Sequence, residues 1–184
     1  MNEPDDKTLM EQCTKGDRQA FESLLIRYEK PVYNAAYRML HSRDDARDVT
    51  QTVFLKVYEN LDSYDPKFRF FSWIYRIALN ESVNLLKKTS RLDSLDTQSP
   101  DREPASQTQG PEQQAVSDEI SAEVQTALQT IKSDYRSIIV LKHFLGCSYT
   151  EISEILEVPE KTVKSRLYTA RQVLKDALDK NGKH

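Results

Sequence analysis

The stretch Thr89–Ser117, TSRLDSLDTQSPDREPASQTQGPEQQAVS, constrains this chain more than any other feature. It holds three prolines, many Ser, Thr, Gln and Asp, and very few large apolar side chains. Such a composition cannot bury enough surface to offset the entropy of ordering, so it reads as a linker. The expected division is residues 1–90 as one domain, 91–117 as linker and 118–184 as a second domain. Pieces this short carry only modest cores. Four glycines in 184 residues argue against a Gly-rich phosphate loop or a turn-dense all-β fold. The expectation is an all-α protein: two small helical domains joined by a flexible acidic linker.

Helical spacing of apolar residues supports this on both sides of the linker. In the first domain, Leu9–Gln12, Ala20–Tyr28 (Phe21, Leu24, Leu25, Tyr28) and Val32–Leu40 (Val32, Ala36, Met39, Leu40) fit helix faces. Asp44–Leu61 is the clearest amphipathic segment, with Val49, Val53, Phe54, Val57 and Leu61 recurring at three or four. Its leading acids, Asp44 and Asp45, suit the positive end of a helix dipole. LDSYDPKF reads as a loop, and Phe71–Lys88 as a further strong helix. In the second domain, Val124, Leu128 and Ile131 mark one helix, and Tyr135–Phe144 marks another that Gly146 ends. Ser148 and Glu151 have capping-box spacing for a short helix with Ile152, Ile155 and Leu156 on its apolar face. Val158-Pro159-Glu160 makes a turn, and a last helix follows from Lys161 to Leu178.

That final arrangement, a short helix, a tight turn and a longer basic helix, is a helix-turn-helix signature. In the last helix Val163, Leu167, Ala170, Leu174 and Ala177 form a core stripe. Lys161, Lys164, Tyr168, Arg171 and Lys175 recur on another face, flanked by Ser165 and Arg166. Arg and Lys there can reach guanine edges or phosphates in a major groove. Taken alone, such a stripe is equally a solvated face of a helical hairpin; the capped helix and turn before it favour DNA.

A second basic segment has a different character. Along Phe71–Lys88, Arg76, Asn80, Asn84 and Lys87 line a polar stripe apart from Ile74, Ile77, Ala78 and Leu85. Asparagines one turn apart can pair bidentately with base edges. The preceding aromatics (Phe68, Phe70, Phe71, Trp73, Tyr75) alternate with Lys67, Arg69 and Arg76, a pattern suited to unstacked single strands. Most of these aromatics, Trp73 included, are also expected to serve the core of a small domain.

Net charge is −3, yet its distribution is uneven. Leu92–Glu123 carries eight acids against one base, Leu61–Arg91 six bases against three acids, and Pro159 onward seven bases against three acids. Two basic segments thus flank an acidic one, and phosphate neutralisation depends on such local patches. The two cysteines, Cys13 and Cys147, form no CxxC motif, and His41, His143 and His184 stand apart, so no metal site is expected. No nucleophile–base pair stands at useful spacing, so neither catalytic residues nor a cofactor are expected. The start lacks signal-peptide character and no apolar run approaches the roughly 18 residues that span a bilayer. The chain is expected in the cytoplasm, without membrane insertion of its own.

In this order, three segments resemble the extracytoplasmic-function sigma factors of bacterial RNA polymerase: DDARDVTQTVFLKVYENL (44–61), FRFFSWIYRIALNESVNLLKK (68–88) and GCSYTEISEILEVPEKTVKSRLYTARQVLKDAL (146–178). The resemblance covers the chain from about Thr8 to Leu178. It implies a promoter-recognition subunit with core RNA polymerase and promoter DNA as partners, and an anti-sigma factor that holds it inactive until a stimulus. By position it implies docking on the clamp helices of the polymerase's largest subunit through Asp45, Asp48, Gln51 and Phe54. The −10 set is Lys67, Arg69, Arg76, Asn80, Asn84, Lys87 and Lys88, with the loop Asp62–Phe70 matching one that captures a flipped base. The −35 set is Thr162, Lys164, Ser165, Arg166, Tyr168, Arg171 and Lys175. The acidic linker resembles the segment that threads near the polymerase active site, where its charge would mimic nucleic acid. Arg47, Thr50, Thr52 and Thr169 depart from the family's usual residues. Two rivals remain at this point: a dimeric one-component regulator, and a helical adaptor that binds only proteins.

Overall fold

The computed structural model describes residues 4–95 and 122–181, and these form eight α-helices with no strand among them. In chain order they are α1 (Asp6–Cys13), α2 (Arg18–Leu40), α3 (Arg43–Glu59), α4 (Phe70–Leu95), α5 (Ala122–Thr130), α6 (Ser133–Ile139), α7 (Tyr149–Leu156) and α8 (Glu160–Asn181). Most of the acidic linker lies outside the described residues.

Polar caps start the helices of the first half. Asp5 accepts from the Thr8 amide at 2.8 Å, Asp17 from the Gln19 and Ala20 amides, and Ser42 from the Asp45 amide at 3.3 Å. Each satisfies an amide that has no partner within the helix. α2 runs unbroken through Pro31, where the sequence suggests two pieces. Proline lacks the N–H for the ladder and costs a helix interior about 3 kcal/mol. The buried residues Leu24, Tyr28, Val32, Ala35, Ala36 and Met39 stay in one helical phase across it, and burial of that stripe offsets the cost. α1 is tied to α2 by Asp6, which pairs with Arg27 at 2.6 Å and accepts from the Tyr28 hydroxyl.

α4 extends to Leu95, past the expected start of the linker. Residues 89–95 contain no glycine or proline, the first proline being Pro100. Polar composition alone does not stop a helix; a breaker does. Conversely, α6 ends at Ile139 and passes into a π-helical turn, Val140–Phe144, where the sequence suggests one regular helix. The Leu145 amide bonds to the Val140 carbonyl at 3.1 Å, the i→i+5 pattern, and Gly146 closes the turn with φ of +66°. Six successive residues, Arg136 to Leu141, are buried, which fits a segment packed from several sides.

The two halves do not stand apart. A continuous apolar core runs from Leu24, Met39, Val53 and Ile74 in the first half to Leu128, Leu141, Ile152 and Val163 in the second. Arg136 of α6 is 5 % exposed and reaches across this boundary. Its guanidinium donates to the carbonyls of Met39, Gln129 and Ile131 and to Gln129 Oε1. Gln125 and Gln129 donate to the Arg38 carbonyl at 3.2 and 3.1 Å. The last turn of α2 therefore gives its carbonyls to donors from the second half, a cation among them, which suits the negative end of a helix. Arg38 also lies 4.6 Å over the Phe144 ring.

Candidate nucleic-acid interface

The helix-turn-helix forms as its spacing suggests. Ser148 accepts from the Glu151 amide while the Glu151 carboxylate accepts from the Ser148 amide at 2.8 Å, a complete capping box at the start of α7. These bonds, the backbone one first, hold the Glu151 carboxyl below its ordinary pKa, and Arg69 adds to the effect. α7 ends with Glu157 in the left-handed region at φ 53°, whose amide bonds to the Ser153 carbonyl. Ser153 Oγ donates to the Val158 carbonyl at 2.6 Å, and Thr150 Oγ1 to Glu160 Oε1 at 2.6 Å, so α7, turn and α8 are cross-linked.

On α8, Val163, Leu167 and Ala170 are buried, and Leu174 and Ala177 pack at the edge of the core. Lys161, Lys164, Ser165, Tyr168, Arg171 and Lys175 are exposed, with Thr162 and Arg166 half-buried beside them. Tyr168, 69 % exposed, projects a ring that no core residue requires. Two neighbours of this face escaped the sequence reading. His143, from the π-helical turn, accepts from Arg171 Nε at 3.2 Å. Burial, Arg171 and Lys142 lower the pKa of that imidazole, which favours the neutral, accepting form. Tyr149 lies under two ammonium groups, Lys142 at 4.8 Å and Lys164 at 5.5 Å. The Arg171–His143 and Lys164–Tyr149 contacts join positions 28 and 15 residues apart, so no local spacing signals them.

α4 carries the second basic surface. Phe70 and Tyr75 are buried, Phe71 and Trp73 half-buried, and Phe68 is 45 % exposed. Phe70, Trp73 and Tyr64 form one ring cluster with centroids 5.2–6.4 Å apart, so most of the aromatic run serves the core. Asn80, Asn84, Lys87 and Lys88 are exposed along one edge, and Asn84, Lys87, Lys88, Arg91 and Leu92 line an open groove. Lys67 sits exposed in the turn before α4. Arg69 and Arg76 behave differently: Arg69 pairs with Glu151, and Arg76 Nη1 with Glu157 Oε1 at 2.9 Å.

The third surface is α3. Asp48 and Gln51 are exposed and Asp45 is half-buried, whereas Phe54 is 7 % exposed and packs inward. Next to them Leu55 (61 %) and Tyr58 (55 %) are exposed. Tyr58 stacks edge-on with Phe21 of α2 at 5.3 Å. Leu55 and Tyr58 lie off the Val49–Val53–Val57 stripe, and that displacement from the core register is the signal by which they can be found.

Both cysteines are buried free thiols, and burial pushes the Cys147 thiol up to about 12 and the Cys13 thiol upward. Neither is poised for thiolate chemistry. Among the described residues no cluster of His, Cys, Asp and Glu could hold a metal, and no helix is long and apolar enough to cross a membrane.

Two family descriptions match the chain: Sigma-70 region 2 over residues 24–92 and Sigma-70, region 4 over residues 121–174. The chain is 34 % identical to the ECF RNA polymerase sigma factor SigW of Bacillus subtilis, over 94 % of this chain and 96 % of that one. It is 31 % identical to the RNA polymerase sigma-H factor of Pseudomonas aeruginosa, over 97 % and 96 %. Among solved structures, CnrH in complex with the cytosolic domain of CnrY is similar with a TM-score of 0.70 and 26 % identity, over 95 % of this chain and 97 % of that one.

Proposed function

The chain belongs to the extracytoplasmic-function (ECF) sigma factors of bacterial RNA polymerase, and from that membership we propose how its surfaces divide the work of directing the polymerase to promoters. The observation that carries the reading is α8: a buried apolar stripe backs an exposed face of Lys161, Lys164, Tyr168, Arg171 and Lys175, set by a capped helix and a cross-linked turn. That face enters the major groove at the −35 element, with Thr162, Ser165 and Arg166 at its border. α4 serves the −10 element: Asn80 and Asn84 face the bases, while Lys67, Arg69, Arg76, Lys87 and Lys88 neutralise phosphates. Phe68, exposed at the end of the 62–70 loop, offers an aromatic face to a base leaving the stack.

α3 docks on the polymerase through Asp45, Asp48 and Gln51, with Leu55 and Tyr58 adding apolar area and Phe54 supporting them from the core. Docking fixes the spacing of the two readers, so that binding of one raises the effective concentration of the other. The net charge of −3 limits nonspecific DNA binding by the free chain. The chemistry of RNA synthesis stays with the polymerase, and this chain contributes recognition and melting. An anti-sigma partner fits the similarity to CnrH, which is solved with the cytosolic domain of another protein.

The test is transcription from fragmented genomic DNA of the source organism by core polymerase with and without this protein, mapping RNA 5′ ends. New starts that share upstream −35 and −10 elements are expected. No new start with an active core enzyme would overturn the assignment.

A further inference from the structure

The π-helical turn Val140–Phe144 is anchored on its protein side. Val140, Leu141 and Cys147 are buried, and the Cys147 amide bonds to the Leu141 carbonyl at 3.0 Å. Lys142 Nζ closes the turn from the other side by donating to the Cys147 carbonyl at 3.0 Å. His143 stands exposed on this support, and its Nε2 accepts from Arg171 Nε at 3.2 Å. With Nε2 as the acceptor, the proton of the neutral ring sits on Nδ1. The bond takes only the Nε–H of Arg171 and leaves its two Nη groups as a fork for another acceptor.

No other residue of the reading stripe offers such a fork. Lys161, Lys164 and Lys175 end in ammonium groups, which act as point charges. Beside the stripe, Ser165 and Thr169 turn their hydroxyls back onto the carbonyls of Thr162 and Ser165, at 3.1 and 3.2 Å.

We propose that His143 is a specificity-determining residue for promoter recognition: it positions Arg171 so that the Nη pair reads a guanine of the −35 element, and does not itself touch DNA. The inference rests on the reading of α8 as the −35 helix. Arginine pairs bidentately with guanine O6 and N7, which requires its fork to meet the base edge in one orientation. A loose side chain must give up its rotamer freedom to do so, at a cost in affinity. Held at Nε from an anchored turn, the guanidinium is oriented before DNA arrives. Other bases, which that orientation does not fit, gain nothing from it.

The bond requires a neutral imidazole. The turn packs against α6, α2 and α7. Arg38 of α2 covers the Phe144 ring, Tyr149 of α7 lies against Lys142, and Arg136 of α6 is engaged by the carbonyls at the end of α2. Burial, then Arg171 and Lys142, hold the imidazole pKa below its ordinary 6.5. Protonation turns the acceptor into a donor and sets a like charge against Arg171.

The test uses the full chain with core polymerase. The templates are one promoter mapped by the transcription experiment and a set with each −35 base pair changed in turn. The readout is the ratio of run-off product from the mapped and the changed template, in which a general loss of activity cancels. R171A is expected to lose discrimination at a guanine position. H143A is expected to lower discrimination at that same position about fivefold, the scale of one immobilised side chain, and to leave the other positions unchanged. H143Q, whose amide oxygen can accept from Nε, is expected to restore it. H143A/R171A should match R171A, since His143 acts only through Arg171. As pH falls below 6.5, the wild-type ratio at that position should drop towards that of H143A while the H143Q ratio stays flat. Unchanged ratios in H143A, no restoration by H143Q, or a wild-type pH response no different from that of H143Q would overturn the proposal. So would a further loss in H143A/R171A, which would make His143 a DNA contact in its own right. Failure of the α8 reading has a separate signature: R171A then discriminates as wild type does at every −35 position, and the proposal falls with it.

Discussion

Arg171 and Arg136 show how differently one residue type works at two depths. Arg171 is exposed on α8 and held by His143. Its replacement by alanine removes a base or phosphate contact and leaves the core intact. Arg171→Ala is expected to lower −35-dependent transcription about tenfold, the effect of losing roughly 1–3 kcal/mol of groove contact, while binding to core polymerase is unchanged. Measuring run-off transcription beside polymerase affinity separates the two, and equal loss of both would count against the assigned face. Arg136 is buried, and its removal leaves the carbonyls of Met39, Gln129 and Ile131 without this donor. Arg136→Ala is expected to destabilise the fold by about 2–3 kcal/mol in urea melts, the scale for a lost charged hydrogen-bond group. Lysine should rescue little, since one ammonium cannot reproduce the fork. From sequence, Arg171 stands out by its stripe, whereas Arg136 reads as one more surface base because its acceptors come from Met39 and the 129–131 segment.

α7 is eight residues long, too short to persist without its cap and its packing. Ser148→Ala is expected to cost about 1 kcal/mol, read as a lower urea midpoint. Glu151 gives the same cap a pH dependence. Its folded pKa lies below the ordinary value of 4.5, chiefly because the carboxylate accepts from the Ser148 backbone. The folded state therefore binds the proton less readily than the unfolded chain. The stability from this group is present in full above pH 4.5 and is lost as pH falls through the depressed folded pKa. Wild type should lose more stability than Glu151→Gln as pH is lowered from 4.5, and parallel losses would exclude the carboxylate as the source. At this scale the capping box, the α3 stripe and the α8 stripe were legible, because period and cap chemistry are written within a few adjacent residues. The passage of α2 through Pro31 and the π-helical turn after α6 were not. Each depends on packing that overrides a local preference.

For the whole molecule, a division into two domains follows from composition, and their joint core does not. Trp73, the single tryptophan, reports on the first half, while far-ultraviolet circular dichroism sums the helices of both. The shared core and the bonds across it predict coincident urea transitions by the two probes. A fluorescence transition displaced from the helical one would show that the halves unfold independently. Of the expected site, the α8 face, the α4 asparagines and the α3 acids are found exposed or partly exposed on the helices that carry them. Phe54 packs inward instead, because its position continues the buried Val49–Val53–Val57 side of α3.

By itself the amino-acid sequence determined that the segments on either side of the linker are helical, which faces of α3, α4 and α8 are polar, and which family the motifs resemble. The helices and their faces rest on spacings of three and four and on caps within a single turn, and the resemblance on the segments 44–61, 68–88 and 146–178. The tertiary structure alone decided that Glu151 and Glu157 meet Arg69 and Arg76 and that Arg136 closes the end of α2. Those partners are 81 to 97 positions apart in the chain, and no periodicity carries information over that distance. They meet because two apolar stripes, each unable to bury itself, pack into one core and bring their polar borders together.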